Sequence, residues 1–282
     1  NTMLINGIGQ PFTPDAYGYI VRMFNGDNIS YALGDASTAY CGISNIRLWK
    51  RSFEKYHLTQ TPENGFGETP LKKYRRHIFL LHPNKVVIYD ELEANEKVRW
   101  DWLLHSPVKF DINPTASILT TVNKEKGFSS VVQLFCEQEA AITQTDKYAA
   151  PPNHADAQRG EDFTDPWSLT ASFGPSRNNR ILTIIQVEAD GRQAVQIMRE
   201  GNTFRCGEWV IEAELNAKRP GRLYIRNSRN NAVFSYGDKK PEINGELYSC
   251  KEKDASVLFD CVNGEWMVQE MGDQRVQTMG KW

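Results

Sequence analysis

Five histidines, 33 basic and 35 acidic side chains set the limits on what this 282-residue chain could catalyse. There is no Gly-x-Ser-x-Gly elbow, no phosphate-binding loop and no His-Glu-x-x-His zinc helix. The imidazoles therefore carry the argument. His82 precedes Pro83-Asn84-Lys85 and reads as a turn residue, His154 falls in a long polar loop, and His57 flanks a weak helical pattern. His77 and His105 sit within strand-like runs. In Tyr74-Arg75-Arg76-His77-Ile78-Phe79-Leu80-Leu81, alternation puts His77 on the face of Arg75, Phe79 and Leu81. An imidazole there must find a carboxylate, a backbone carbonyl or a metal, so it is either a hydrogen-bonded core histidine or a ligand. His105 closes Trp100-Asp101-Trp102-Leu103-Leu104-His105 at a strand end. The carboxylates that could join them are Asp27, in the turn Asn25-Gly26-Asp27-Asn28, and Asp35, in Gly34-Asp35-Ala36-Ser37. Turn chemistry alone accounts for Asp27.

Strands must position these groups. Runs rich in Val, Ile, Tyr, Phe, Trp and Thr recur at 17–24, 29–33, 74–81, 86–90, 98–105, 117–122 and 130–136. They continue at 168–173, 181–188, 193–199, 208–215, 222–226, 232–236, 256–261 and 265–270. Within 209–215 the odd positions are apolar, while Glu212 and Glu214 face away, as in a sheet with one buried and one wet face. The one helical candidate is 43–56, where Ile43, Ile46, Trp49, Phe53 and Tyr56 fall at helix-like spacing. Residues 59–70 and 149–166 read as long loops, the second carrying Pro151-Pro152, Asp156, Asp162 and Asp165. About fifteen strands, no interleaved helices and no fixed repeat predict an all-β fold, a large two-sheet antiparallel β-sandwich of supersandwich type. Residues 1–200 are expected to form the main sandwich, and 201–282 a C-terminal β extension or a small second β unit.

Composition narrows the function classes. A formal net charge of −2 leaves no basic footprint for nucleic acid and no acidic tail. No run approaches the ~18–20 apolar residues of a membrane-spanning helix. Five cysteines are an odd number without a Cys-x-x-Cys pair, which argues against zinc ribbons and thioredoxin-like chemistry. An exported protein could join Cys250 to Cys261, whereas buried free thiols are the plainer expectation. Seven tryptophans and eleven tyrosines could stack on sugar rings or fill a core. The opening Asn1-Thr2-Met3, without a leader, reads as a processed protein or a piece of a longer one.

Three stretches resemble the C-terminal region of heparinase II/III-like polysaccharide lyases. Asn1-Thr2-Met3-Leu4-Ile5-Asn6-Gly7-Ile8-Gly9-Gln10 resembles that family's His-Asn-Thr, apolar strand, Gly, Gln signature, with the His falling just before Asn1. Gly34-Asp35-Ala36-Ser37 followed by Ala39-Tyr40 resembles the next element. Arg75-Arg76-His77-Ile78-Phe79-Leu80, then Val86-Val87-Ile88-Tyr89-Asp90-Glu91-Leu92 and Trp102-Leu103-Leu104-His105, resembles the third. Together they cover roughly the first 110 residues.

The resemblance implies an exported bacterial enzyme, periplasmic or at the cell surface, that pairs an N-terminal α/α toroid with a large β-sandwich. Such enzymes cleave acidic, uronic-acid-containing polysaccharides by β-elimination. The chemistry needs neutralisation of the uronate, a base for the C5 proton and an acid for the leaving oxygen. Family members draw these groups, Tyr, His and Asn or Glu, mostly from the toroid, so this chain is expected to be catalytically incomplete and to carry no catalytic residue of its own. Some members hold a zinc with two His and an Asp. Here the resemblance assigns one His to the position before Asn1, the other to His77, and the Asp to Asp35 by motif or Asp27 by hairpin placement. Two protein groups hold zinc poorly, so the expected site is empty. A free-standing carbohydrate-binding sandwich is the alternative, and an adhesin-like assembly domain a third reading.

Overall fold

The computed structural model describes residues 1–43, 50–113, 117–148, 166–189, 192–227, 232–237, 240–243, 246–251 and 255–273. Residues 149–165 of the loop expected at 149–166, with His154, Asp156, Asp162 and Asp165, lie outside them, as does the 44–49 portion of the helical candidate. Of that candidate, the described residues form one short helix, α1 (Lys50–Lys55).

Two antiparallel sheets make the sandwich. The first, sheet A, holds ten strands: β1 (Met3–Ile5), β2 (Tyr19–Asn25), β3 (Ile29–Asp35), β4 (Leu71–Leu81), β5 (Lys85–Ser106), β6 (Asp111–Asn113), β7 (Ile118–Asn123), β8 (Phe128–Phe135), β9 (Ala141–Thr145) and β10 (Trp167–Ala189). Their order is β2-β3-β4-β5-β10-β8-β7-β6, with β1 also beside β5 and β9 beside β10. Next along the chain come β11 (Ile197–Glu200), β12 (Thr203–Cys206), β13 (Trp209–Ala213), β14 (Leu223–Asn227) and β15 (Ala232–Tyr236). A ribbon of β16 (Glu242–Ile243) and β17 (Glu246–Leu247) follows, then β18 (Ser256–Val262) and β19 (Glu265–Met271). Sheet B runs β11-β12-β13-β14-β15-β18-β19. A division between residues 200 and 201 would fall inside the β11–β12 hairpin.

Two pairs of strands expected as separate pieces are continuous. Residues 86–90 and 98–105 belong to the 22-residue β5, and 168–173 and 181–188 to the 23-residue β10. These long strands pair from Trp167 opposite Ser106 to Gln186 opposite Lys85, with irregular register between Phe173 and Asn178. Gly174 sits at that irregularity with φ +116°, where a Cβ would lie 2.9 Å from the Val98 carbonyl oxygen. Only glycine fits such a crossing.

The irregularity divides the core. The lower halves of β5 and β10 place Val87, Tyr89, Leu182 and Ile184 beside Tyr31, Leu33, Phe79 and Leu81, facing Phe204, Trp209, Ile211, Ile225 and Phe234 of sheet B. The upper halves place Trp100, Trp102, Leu169 and Phe173 in a second cluster with Met3, Ile5, Tyr40, Tyr74, Leu119 and Val132. Each fully buried side chain of this size contributes about 1.5–3 kcal/mol.

One sequence expectation is corrected. Glu214 is buried, not wet: its carboxylate accepts from the Asn216 N–H at 2.9 Å and the Asn202 amide at 3.1 Å. All five cysteines are free, in line with the plainer expectation, although only Cys206 is fully buried and Cys250 is exposed.

Candidate functional site

The fate of the motif residues is decided by which face of β4 each occupies. Pairing sets Asp35 opposite Arg75, Gly34 opposite Arg76 and Leu33 opposite His77. Because side chains alternate, Arg75, His77 and Phe79 turn towards sheet B, whereas Arg76 and Ile78 turn outward.

His77 is fully buried between the sheets. Its Nδ1 lies 3.0 Å from the Tyr31 hydroxyl, and its ring stands 4.5 Å from that of Tyr236 and 5.6 Å from that of Tyr89. Nε2 has no hydrogen-bond partner among the described residues. Burial pushes the imidazole down to about 3, so it is neutral. The polar groups around it tie the sheets together. Arg22 donates to Ser256 at 2.8 Å and to Asp273 at 2.9 Å, and Arg75 joins Asp273 (2.7 Å) to Asp35 (2.9 Å). Glu91 meets Lys73 and the Tyr236 hydroxyl; burial opposes its ionisation, but the charges around it, the paired Lys73 ammonium among them, outweigh burial and hold the carboxyl below its ordinary range.

These positions do not fit a zinc ion. Asp35 shares the inward face with His77, yet its oxygens are engaged by Arg75 and by the Ser37 N–H at 3.0 Å. Asp27 is exposed in the β2–β3 turn, roughly 15–20 Å along the strand from the level of His77. No three His, Cys, Asp or Glu side chains converge among the described residues. Nor does His77 point to the Asn1 strand. Its neighbour Arg76 does, one residue over and on the opposite face.

On that outer face the three motif stretches meet. β1 pairs with β5, Met3 opposite Trp102, which brings Asn1 to Arg76 in the middle of β4 and to His105 near the end of β5. Arg76 donates to the Asn1 carbonyl at 3.0 Å and grips buried Asp90 through two bonds of 2.6 and 2.9 Å. The Asn1 side-chain oxygen accepts from the His105 backbone N–H at 2.7 Å. Tyr40 lies 3.2 Å from the Thr2 hydroxyl and donates to the Met3 carbonyl, and Arg76 covers the ring of Tyr74 at 5.5 Å. Burial pushes the Tyr40 phenol up to about 12 and Tyr74 well above its ordinary value, and burial pushes the His105 imidazole down. Beside this cluster opens a groove of about 410 Å³ walled by Gln10, Tyr19, Ile20, Ala32, Gly34 and Ile78. Arg76, Tyr40 and Gly34 lie within the three motif stretches, which assign them no role. A glycine inside a strand pattern was the available signal for the groove.

No protein-family model and no curated protein matches this chain. Solved structures do. The heparinase III BT4657 gene product superposes with a TM-score of 0.50 at 11% identity, over 80% of this chain and 28% of that one. The fold is that of part of a heparinase III. A second heparinase III structure covers 92% of this chain and 29% of its own at 12% identity, with a TM-score of 0.47. The heparan sulfate lyase HepC from Pedobacter heparinus covers 80% and 28% at 7% identity, with a TM-score of 0.48. The chain thus spans less than a third of the length of the heparinase III structures it matches.

Proposed function

We propose that this chain is the β-sandwich part of a polysaccharide lyase, exported by a bacterium, that cleaves uronic-acid-containing glycans by β-elimination together with an α/α toroid segment. The observation that carries this reading is the convergence of Asn1, Thr2, Tyr40, Arg76, Asp90 and His105 in one cluster beside a groove, on a fold found in heparinase III. Tyr40 and Tyr74 stay protonated because burial disfavours their phenolates, so neither takes the C5 proton from this position. Tyr40 and Arg76 hold the start of the chain through the Met3 and Asn1 carbonyls, and Tyr74 and Arg76 line the groove. Proton abstraction therefore falls to the toroid segment in this reading.

A free-standing carbohydrate-binding module would need an exposed aromatic platform. Trp100, Trp102 and Trp209 are buried instead, the exposed aromatics Phe12, Tyr17 and Phe128 are divided between the stretch before β2 and β8, and Ile20, Met23 and Ile78 are exposed on sheet A. Release of unsaturated uronate from heparan sulfate, chondroitin sulfate and alginate tests the proposal. This chain alone should give no turnover, and the same chain joined to its native upstream helical region should give turnover. Robust turnover by the chain alone overturns the dependence on the toroid.

A further inference from the structure

The groove exists because one side chain is absent. Across the outer face of sheet A, Ile20, Gly34, Arg76 and Asp90 form a single cross-strand row, and Ala32 and Ile78 pair in the next. Gly34 breaks the first row between an isoleucine and an arginine. Glycine weakens a strand interior, and it is usually explained by a strained backbone or by a neighbour that presses close. Neither holds here. A Cβ at Gly34 would meet nothing within 4 Å, and no left-handed conformation demands glycine. The fold does not require this gap.

We propose that the gap at Gly34 is a subsite for one uronate residue of a glycan chain. The apolar face of the sugar ring lies on Ile20, Ala32 and Ile78, and its carboxylate meets Arg76. The inference rests on the lyase reading for the kind of glycan, and on the row of residues for the place. The groove's volume lies within the ~300–1,000 Å³ range of small-ligand sites. Ile20 and Ile78 stand 59% and 42% exposed, so the shelf is open to a ligand. Arg76 lines the groove and uses three of its five N–H donors on Asp90 and Asn1. Asp90 fixes the guanidinium plane, so Arg76 is oriented before a ligand arrives.

Substituting Arg76 would leave buried Asp90 without its partner and could unfold the chain, so the test varies the ligand and the gap. Titration calorimetry compares an unsulfated tetrasaccharide of alternating glucuronate and N-acetylglucosamine with its carboxyl-reduced counterpart. It uses the wild-type chain and Gly34→Val, whose side chain fills the groove from a position with room for it. The expected result is binding of the acidic tetrasaccharide, about tenfold weaker binding of the reduced one, and a loss of at least about tenfold with Gly34→Val at unchanged Tm. Equal affinity for both sugars overturns the role of Arg76. Binding that survives Gly34→Val overturns the place, while leaving the glycan reading intact. No binding of either sugar overturns the subsite, and uronate release by the chain joined to its helical region then judges the lyase reading by itself.

Discussion

His77 shows how far a single side chain can depart from the role its motif suggests. Its ring is sealed among Tyr31, Tyr89 and Tyr236, and burial lowers its pKa from 6.5 to about 3. The unfolded chain therefore binds a proton between those values that the folded chain does not. Stability contributed by neutral His77 is fully present above the unfolded pKa, near 6.5, and declines as pH falls toward the folded pKa, near 3. The slope is at most about 1.4 kcal/mol per pH unit. Urea unfolding at a series of pH values should show a steeper acid loss for wild type than for His77→Phe, which keeps a ring but cannot titrate. Adding zinc or a chelator should leave Tm unchanged, because Asp35 is committed to Arg75 and Asp27 is remote; a rise in Tm with zinc would contradict this geometry. Arg76 and Asp90 are a closer partnership. With Asp90 wholly buried, Arg76→Ala should cost about 3–5 kcal/mol by chemical denaturation.

At the scale of elements, glycines fall into opposite classes that only their surroundings separate. Gly26 lies in the β2–β3 turn, where a Cβ would overlap the carboxylate of Asp260 and lie 2.9 Å from the Ile29 carbonyl oxygen. Asp260, on β18, accepts from the Asn28 N–H at 2.9 Å and from the Asn28 amide, so the turn of sheet A is clamped to sheet B. Gly26→Ala should push this buried carboxylate off its donors and cost about 1–3 kcal/mol. Gly34→Ala, in open space on β3, should instead be neutral or stabilise by about 0.5–1 kcal/mol. Paired denaturation curves of the two variants check both signs. No loss on Gly26→Ala would mean that the turn is not clamped.

The whole molecule stands on a core that neither sheet can complete. Phe234 of sheet B packs against Tyr31 at 4.6 Å and Phe79 at 4.7 Å of sheet A, and the Tyr89 hydroxyl donates to the Glu214 carbonyl at 2.7 Å. Phe234→Ala should therefore cost about 3–5 kcal/mol. It should lower one shared transition, with far-ultraviolet dichroism and tryptophan fluorescence from Trp100, Trp102 and Trp209 moving together. Separate transitions for the two sheets would show that the interface is weaker than its packing implies. A chain ending after β10 would leave Tyr31, Leu33, Phe79 and Ile184 uncovered, and should bind hydrophobic dyes rather than fold cooperatively.

Period-two alternation, turn residues and scarce helical spacing determined the all-β class and most strand positions from sequence alone. The face of β4 carrying Arg75, His77, Phe79 and Leu81 was legible for the same reason. What sequence could not determine was anything set by pairing between distant strands. The joining of 86–90 to 98–105 depends on β10 running alongside, because β10 pairs with 91–93 and again with Val98 across a break in register at 94–97, which alternation does not reveal. Placing Arg76, not His77, against Asn1 required the β1–β5 and β4–β5 registers together, since a shift of one residue exchanges the faces. The buried place of Glu214 was set by Asn202 and Asn216, and the open space at Gly34 by the exposed positions of Ile20 and Ile78. Local chemistry fixes what a segment can become. Which groups face one another across the sheets depends on contacts many residues apart, and those exist only once the chain has folded.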